Sequence, residues 1–321
     1  KKLIIIPDGK LAFIPFEVLL SRFPGDKSFN YSSLPYLIRD YTINYSYSAT
    51  LLFAGTSPDK IPGNKLLAFA PAYEYGDTKN SNVEELYRTY NIGGELLPLL
   101  GTKNEVNIIS GLVRGDVFSG VKATEKNLKS LQAGYKILHL ALHTFIDNEN
   151  PMYSKLVFTQ DGDTTEDGLL NTWEIYNMDL NAEMVVLSAC NTGSGKLRRG
   201  EGIISLARGF KYAGVPGIVM TLWSVGDDSS ADLMGSFYKY LSRSNRKDEA
   251  LRYAKLDYLE SVSPTEAHPY FWAGYVTIGD AKPVLKKKNI LLKSIIAGTI
   301  ILLLGMVVMY KFYSRFPDSF F

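Results

Sequence analysis

Cysteine is nearly absent: the 321 residues contain one. That excludes an internal disulfide framework and leaves a single thiol, which survives best in a reducing compartment. An excess of charge of either sign is missing too. A net charge of +2 and a pI near 8.3 leave no electrostatic footprint for nucleic acid, so no direct nucleic-acid partner is expected. There is no internal repeat and no initiator methionine. The sequence opens on Lys1 and runs at once into an apolar strand, so it reads as the carboxyl-terminal part of a longer chain. With 46% hydrophobic and 21% charged residues, it has material for one large or two ordinary globular domains.

The one cysteine stands at a telling place. Met184-Val185-Val186-Leu187 is an apolar run with two β-branched residues, the pattern of a strand buried on both faces, and Ser188-Ala189-Cys190-Asn191-Thr192-Gly193 follows it. In a parallel sheet, reacting groups collect beyond the carboxyl ends of the strands. A lone cysteine in a buried strand also serves as a small core hydrophobe. A second run, Tyr135 to His143, is built alike and ends in a histidine 47 residues before Cys190. A thiolate nucleophile needs a base or cationic partner, and imidazole serves near neutral pH. If the two strands are parallel neighbours, His143 and Cys190 end up side by side, and the pairing favours the nucleophile reading.

Around these runs the chain alternates. Strands are expected at Leu3–Pro7, Tyr41–Tyr47, Lys65–Ala70, Asp116–Ser119, Tyr135–His143, Gly217–Trp223 and Phe271–Ile278. Helices are expected at Thr102–Val113, from Thr124, and at Thr172–Asn177, Gly200–Ala213, Asp228–Leu241 and Lys247–Glu260. Ser154–Thr159 and Gly168–Leu170 read as a hairpin-like insertion, and Ser21–Ser33 and Ala72–Glu95 as surface loops. Strands alternating with helices of this length argue for an α/β fold, a sheet covered on both faces. Gly193-Ser194-Gly195-Lys196 imitates a phosphate-binding loop, but Cys190 and Leu197 stand where the pattern needs glycine and a hydroxyl, so nucleotide is not expected.

The end differs in kind. Ile290 to Tyr310 is a run of 21 residues interrupted only by Lys293, Ser294 and Thr299, long enough for a ~30 Å hydrocarbon core. Lysines over 282–288 precede it, so the positive-inside rule places the preceding domain in the cytoplasm of a single-pass membrane protein. The expected division is a globular domain over 1–280, a basic linker over 281–289, a transmembrane helix over 290–310 and a tail over 311–321.

These residues resemble the CHAT domain, a caspase-like and separase-like module of the cysteine peptidase clan that often follows tetratricopeptide repeats. The resemblance rests on Ile6-Pro7-Asp8-Gly9 with Pro15 to Leu19, on Ile137 to His143, and on Val185 to Gly193. It continues through Gly200-Glu201-Gly202 with Leu206-Ala207-Arg208, Leu222 to Asp228, and His268 to Gly274. It implies a caspase-like, mostly parallel sheet with helices on both faces, a degenerate half over 1–64 and a catalytic half over 65–280. A histidine roughly 50 residues before the cysteine is also the caspase order.

The resemblance further implies a cysteine endopeptidase, expected here to be membrane-anchored by the run over 290–310, with His143 as base or ion-pair partner and Cys190 as nucleophile. The oxyanion would be held by backbone amides of Cys190 and Thr144. Substrate subsites fall to Trp223, Ser224 and Asp228. Its partners are a protein or peptide substrate, the membrane and upstream tetratricopeptide repeats; it calls for no metal and no cofactor. The family commonly has glycine after the histidine, and Thr144 here would be strained if that position needs a positive φ. The other reading is a scaffold module that kept the fold and lost the chemistry. Asp147 and Glu149 are solvated loop carboxylates, or orient the imidazole, or meet a basic substrate side chain. His139 is expected to be structural, on the same strand and face as His143, and His268 to be a packed residue.

Overall fold

The computed structural model describes residues 1–24, 30–53, 65–73, 99–131, 134–160, 165–188, 196–198, 202–204, 206–285, 299 and 302–311. Cys190, with 189–195, lies outside them, as does most of the expected loop over 72–95. The strands are β1 (Lys2–Ile5), β2 (Thr42–Tyr45), β3 (Leu66–Pro71), β4 (Gly115–Gly120), β5 (Ile137–Leu140), β6 (His143–Phe145), β7 (Lys155–Val157), β8 (Leu169–Asn171), β9 (Met184–Leu187), β10 (Lys196–Arg198), β11 (Gly202–Ile204), β12 (Gly217–Thr221) and β13 (Tyr275–Gly279). The helices are α1 (Leu37–Asp40), α2 (Ala49–Phe53), α3 (Leu100–Leu112), α4 (Glu125–Leu131), α5 (Thr172–Tyr176), α6 (Leu206–Tyr212), α7 (Asp227–Ser242), α8 (Lys247–Ser261) and α9 (Pro269–Trp272).

Eight strands form one sheet in the order β1-β2-β13-β12-β9-β5-β3-β4. All neighbours run parallel except β12 and β13. Period-two alternation divides the strand side chains between two cores. Leu66, Ala68, Ile137, Met184, Val186 and Val219 pack with Val106 and Ile109 of α3 and Leu233, Phe237 and Tyr238 of α7. Leu67, Phe69, Leu138, Leu140, Val185 and Leu187 pack on the other face with Leu128 of α4, Ile175 of α5 and Phe210 of α6. Each fully buried Val, Leu, Ile, Phe or Met side chain among them contributes roughly 1.5–3 kcal/mol by leaving water. The expected sheet covered on both faces is therefore the observed one.

The strand expected from Phe271 starts only at Tyr275, because Pro269–Trp272 form α9, and three larger expectations need correction. The run Tyr135–His143 is not one strand. Ala141 still donates its amide to Phe69 of β3 at 2.9 Å, but two residues later the chain has left the sheet, and His143 opens β6 of a separate antiparallel sheet, β6-β7-β8. The helix expected from Gly200 begins only at Leu206, and Gly202–Ile204 pair instead with Lys196–Arg198.

The third correction concerns the membrane. No helix among the described residues is long and apolar enough to cross one. The transmembrane helix over 290–310, the membrane as a partner and the single-pass placement with a cytoplasmic domain do not stand. The chain divides into two units, Lys1–Leu285 and Lys286–Phe321, and the sheet belongs wholly to the first.

Candidate active site

The carboxyl ends of three adjacent parallel strands meet at one edge of the sheet. Leu140 of β5 is the register partner of Leu187 of β9, and Ser188 donates its amide to the Leu140 carbonyl at 3.0 Å. On the far side of β9, Val186 pairs with Val219 of β12. His143 follows β5 by three residues, Cys190 follows β9 by three, and Trp223 and Ser224 follow β12. Asp228 lies exposed in the first turn of α7.

His143 is half-buried. Its amide donates to the Tyr73 hydroxyl at 3.0 Å, and that hydroxyl donates to the Val157 carbonyl of β7 at 2.7 Å. The Tyr73 and His143 rings pack with centroids 4.6 Å apart. Beneath them Tyr73, Phe145, Val157 and Leu169 form a small core of their own. Tyr73 therefore braces both the backbone and the ring of the histidine. Thr144 is extended in β6 as the register partner of Leu156, and among the described non-glycine residues only Ser244 has a positive φ. The β-branched side chain is in its preferred setting, and the strain anticipated for it is absent.

Asp147 turns its carboxylate inward on its own loop. Oδ1 accepts the amides of Glu149 at 2.9 Å and Asn150 at 2.7 Å. Trp223 donates its indole N–H to the Tyr270 carbonyl at 2.8 Å and packs over Gly274, where an added Cβ would stand 3.1 Å from the indole and 2.9 Å from Val225. Burial, then the Asp228 carboxylate, raises the carboxyl of Asp232 above its ordinary value. His268 caps α9, accepting the Tyr270 amide at 3.2 Å, and packs on Tyr31 with ring centroids 4.7 Å apart. The residue is exposed, and what it does is cap the helix rather than fill the core.

His139 is structural and fully buried, and it lies in a different sheet from His143. Its Nε2 comes within 2.8 Å of Glu105 Oε1, off the line of a hydrogen bond, and its Nδ1 lies 3.1 Å from the Tyr238 hydroxyl. Glu105, Ser230, Tyr275 and Tyr73 were not singled out from the sequence. Glu105 carried a signal: with Thr102, Val106, Ile109 and Val113 it keeps helical spacing, which puts a carboxylate on the buried stripe of α3.

Among the described residues one group could hold a cation, Glu125, Glu166 and Glu174. The Lys129 ammonium lies within 2.7, 2.5 and 2.8 Å of the three carboxylates and supplies that charge itself.

Comparison with known proteins agrees with this architecture. The CHAT domain family matches residues 1–280. Tetratricopeptide repeat protein 28 of Homo sapiens is 26% identical over 316 residues, 87% of this chain, and the chain spans 12% of that relative's length. The protein of the same name from Mus musculus is 28% identical over 113 residues, 35% of this chain and 4% of its own. Among solved structures, the Arg-specific cysteine proteinase gingipain R superposes with a TM-score of 0.51 at 11% identity, covering 84% of this chain and 60% of that one. Separase of Saccharomyces cerevisiae, in complex with securin, gives 0.44 at 14% identity, covering 78% and 15%. The sheet has the caspase-like peptidase fold, and over residues 1–280 the chain belongs to the CHAT domain family.

Proposed function

We propose that this chain is a cysteine endopeptidase in which His143 and Cys190 act as a dyad. The observation that supports the reading is the register of β5 and β9: Leu140 and Leu187 are paired, and each precedes one member of the dyad by three residues. The imidazole takes the thiol proton, and the thiolate attacks the scissile carbonyl carbon. The oxyanion is assigned to the backbone amides of Cys190 and Thr144. The imidazolium then gives its proton to the leaving amine, which departs as a thioester forms. Water, deprotonated by His143, hydrolyses the thioester and restores the thiol.

The neighbouring strand end supplies the substrate contacts. Trp223 offers an apolar ring and Ser224 a hydroxyl, and Asp228 offers a carboxylate to a basic side chain. The substrate is a protein or peptide. The kinship with a tetratricopeptide repeat protein favours regulation by such repeats in the same polypeptide. The division into a catalytic half over 65–280 and a degenerate half over 1–64 belongs to the same proposal.

The test is to incubate the 321-residue chain with a denatured proteome and sequence the new amino termini. New termini are expected with the unaltered chain and not with Cys190→Ala or His143→Ala. Cleavage that persists in Cys190→Ala refutes the proposal.

A further inference from the structure

A closed set of polar groups is buried in the apolar layer between the sheet, α3 and α7. Glu105 is 1% exposed. Its Oε2 accepts from Ser188 Oγ at 3.0 Å and from Ser230 Oγ at 3.1 Å. The Tyr275 hydroxyl lies 2.7 Å from Ser188 Oγ and 2.5 Å from Ser230 Oγ. Its Oε1 stands against His139, whose other nitrogen meets Tyr238. Burial first, and the Glu105 charge second, push the Tyr238 hydroxyl well above its ordinary range. A carboxylate in apolar surroundings is expensive unless hydrogen-bonded, so the two serine hydroxyls are held to it tightly.

The residues it holds are not arbitrary. Ser188 ends β9 two residues before Cys190, and His139 lies in β5 four residues before His143. Ser230 sits in the first turns of α7, just after the loop that carries Trp223 and Ser224. One side chain on α3 thus ties together the strand leading to each dyad member and the helix beside the proposed subsites. Stability alone would be served as well by an apolar residue in this layer.

We infer that Glu105 is a positioning residue: through Ser188 and His139 it fixes the strand ends from which Cys190 and His143 extend. The inference rests on the dyad proposed above. An imidazolium lowers a thiol pKa steeply only at close range, so loosening either strand end raises it. Glu105→Gln removes the charge and one of the two acceptor oxygens, and Ser188→Ala removes one hydroxyl from the set.

The experiment follows iodoacetamide alkylation of the single cysteine of the full chain against pH, with melting temperature measured alongside. The unaltered chain should react well below the free-thiol midpoint of about pH 8.5. Glu105→Gln and Ser188→Ala should each slow alkylation near pH 6 by about tenfold, equivalent to one pKa unit. The double variant should be slowed by less than the product of the two single effects, because the Glu105–Ser188 contact is common to both. Tyr238→Phe, which removes the hydroxyl at His139 Nδ1 and leaves the ring and the bonds of Glu105 to Ser188 and Ser230 in place, should keep the wild-type midpoint and so separates positioning from general loosening of the core. If Glu105→Gln does not fold, Ser188→Ala carries the same comparison. A depressed wild-type midpoint that Ser188→Ala or folded Glu105→Gln leaves in place overturns the inference and spares the dyad. A free-thiol midpoint in the unaltered chain overturns the dyad, and the inference with it.

Discussion

Leu140 and Leu187 face each other in adjacent parallel strands, joined by the Ser188 amide donating to the Leu140 carbonyl. From that rung the two chain segments diverge. One enters the small sheet β6-β7-β8 with His143 at its start, and the other leads to Cys190. The rung sets the origin from which both proposed catalytic groups are built.

The Tyr73 hydroxyl is the brace on the histidine side. Tyr73→Phe keeps the ring and deletes the group that accepts from His143 and donates to Val157. Removing a partner from buried backbone groups costs about 1–3 kcal/mol, and urea denaturation should show a loss of that size. A loss of less than about 0.5 kcal/mol, the range of an ordinary surface change, would show that the hydroxyl holds nothing.

Glu17 and Lys255 form a buried pair, Nζ to Oε1 at 3.2 Å, with the Tyr45 hydroxyl donating to Oε2 at 2.5 Å. Burial lowers the Lys255 pKa, and the Glu17 charge opposes that shift. Lys255→Ala strands the carboxylate and should destabilise by about 3–5 kcal/mol, whereas Lys255→Met with Glu17→Gln should recover most of the loss. Equal melting temperatures for the single and double variants would contradict this.

Glu125 gives a pH signature. Burial lifts its pKa from 4.5 to about 7 against the pull of Lys129. The folded state therefore keeps a proton that the unfolded chain has released, so this group's stabilisation is full below 4.5 and is lost as pH rises through 7. Burial acts against Glu174 as well, but its bonds to Lys129 and Asn171 outweigh burial and lower its pKa, so its contribution is lost only at more acidic pH. Glu125→Gln should flatten the decline in melting temperature between about pH 5 and pH 8. Parallel curves for the two proteins would contradict the assignment.

Much of this architecture could be read directly from the residues. β3, β9 and β12 appear as apolar runs because both faces of each are buried, and period and length sufficed for α3, α7 and α8. The break after Leu140 could not be read so. Ala141 and Leu142 are as buried as the strand before them, and the partner that draws His143 away is Tyr73, distant in sequence. Apolarity reports burial and not which sheet a residue joins. The same limit applies at the carboxyl end, where 21 mostly apolar residues satisfied a length criterion, yet no helix among the described residues is long and apolar enough to cross a membrane. At the site, His143 was expected to end the β5 run and instead opens β6, and Cys190 lies outside the described residues. Glu105 and its hydroxyl partners come from four separate segments and meet only in the fold.

The central claim is that His143 and Cys190 work as one unit, and the pH dependence of Cys190 alkylation in the full chain and in His143→Ala tests it most directly. The account predicts that the unaltered chain reacts well below neutral pH and that His143→Ala moves the midpoint up towards about 8.5, the value of an unpaired thiol. Two superimposable curves with a free-thiol midpoint would contradict it.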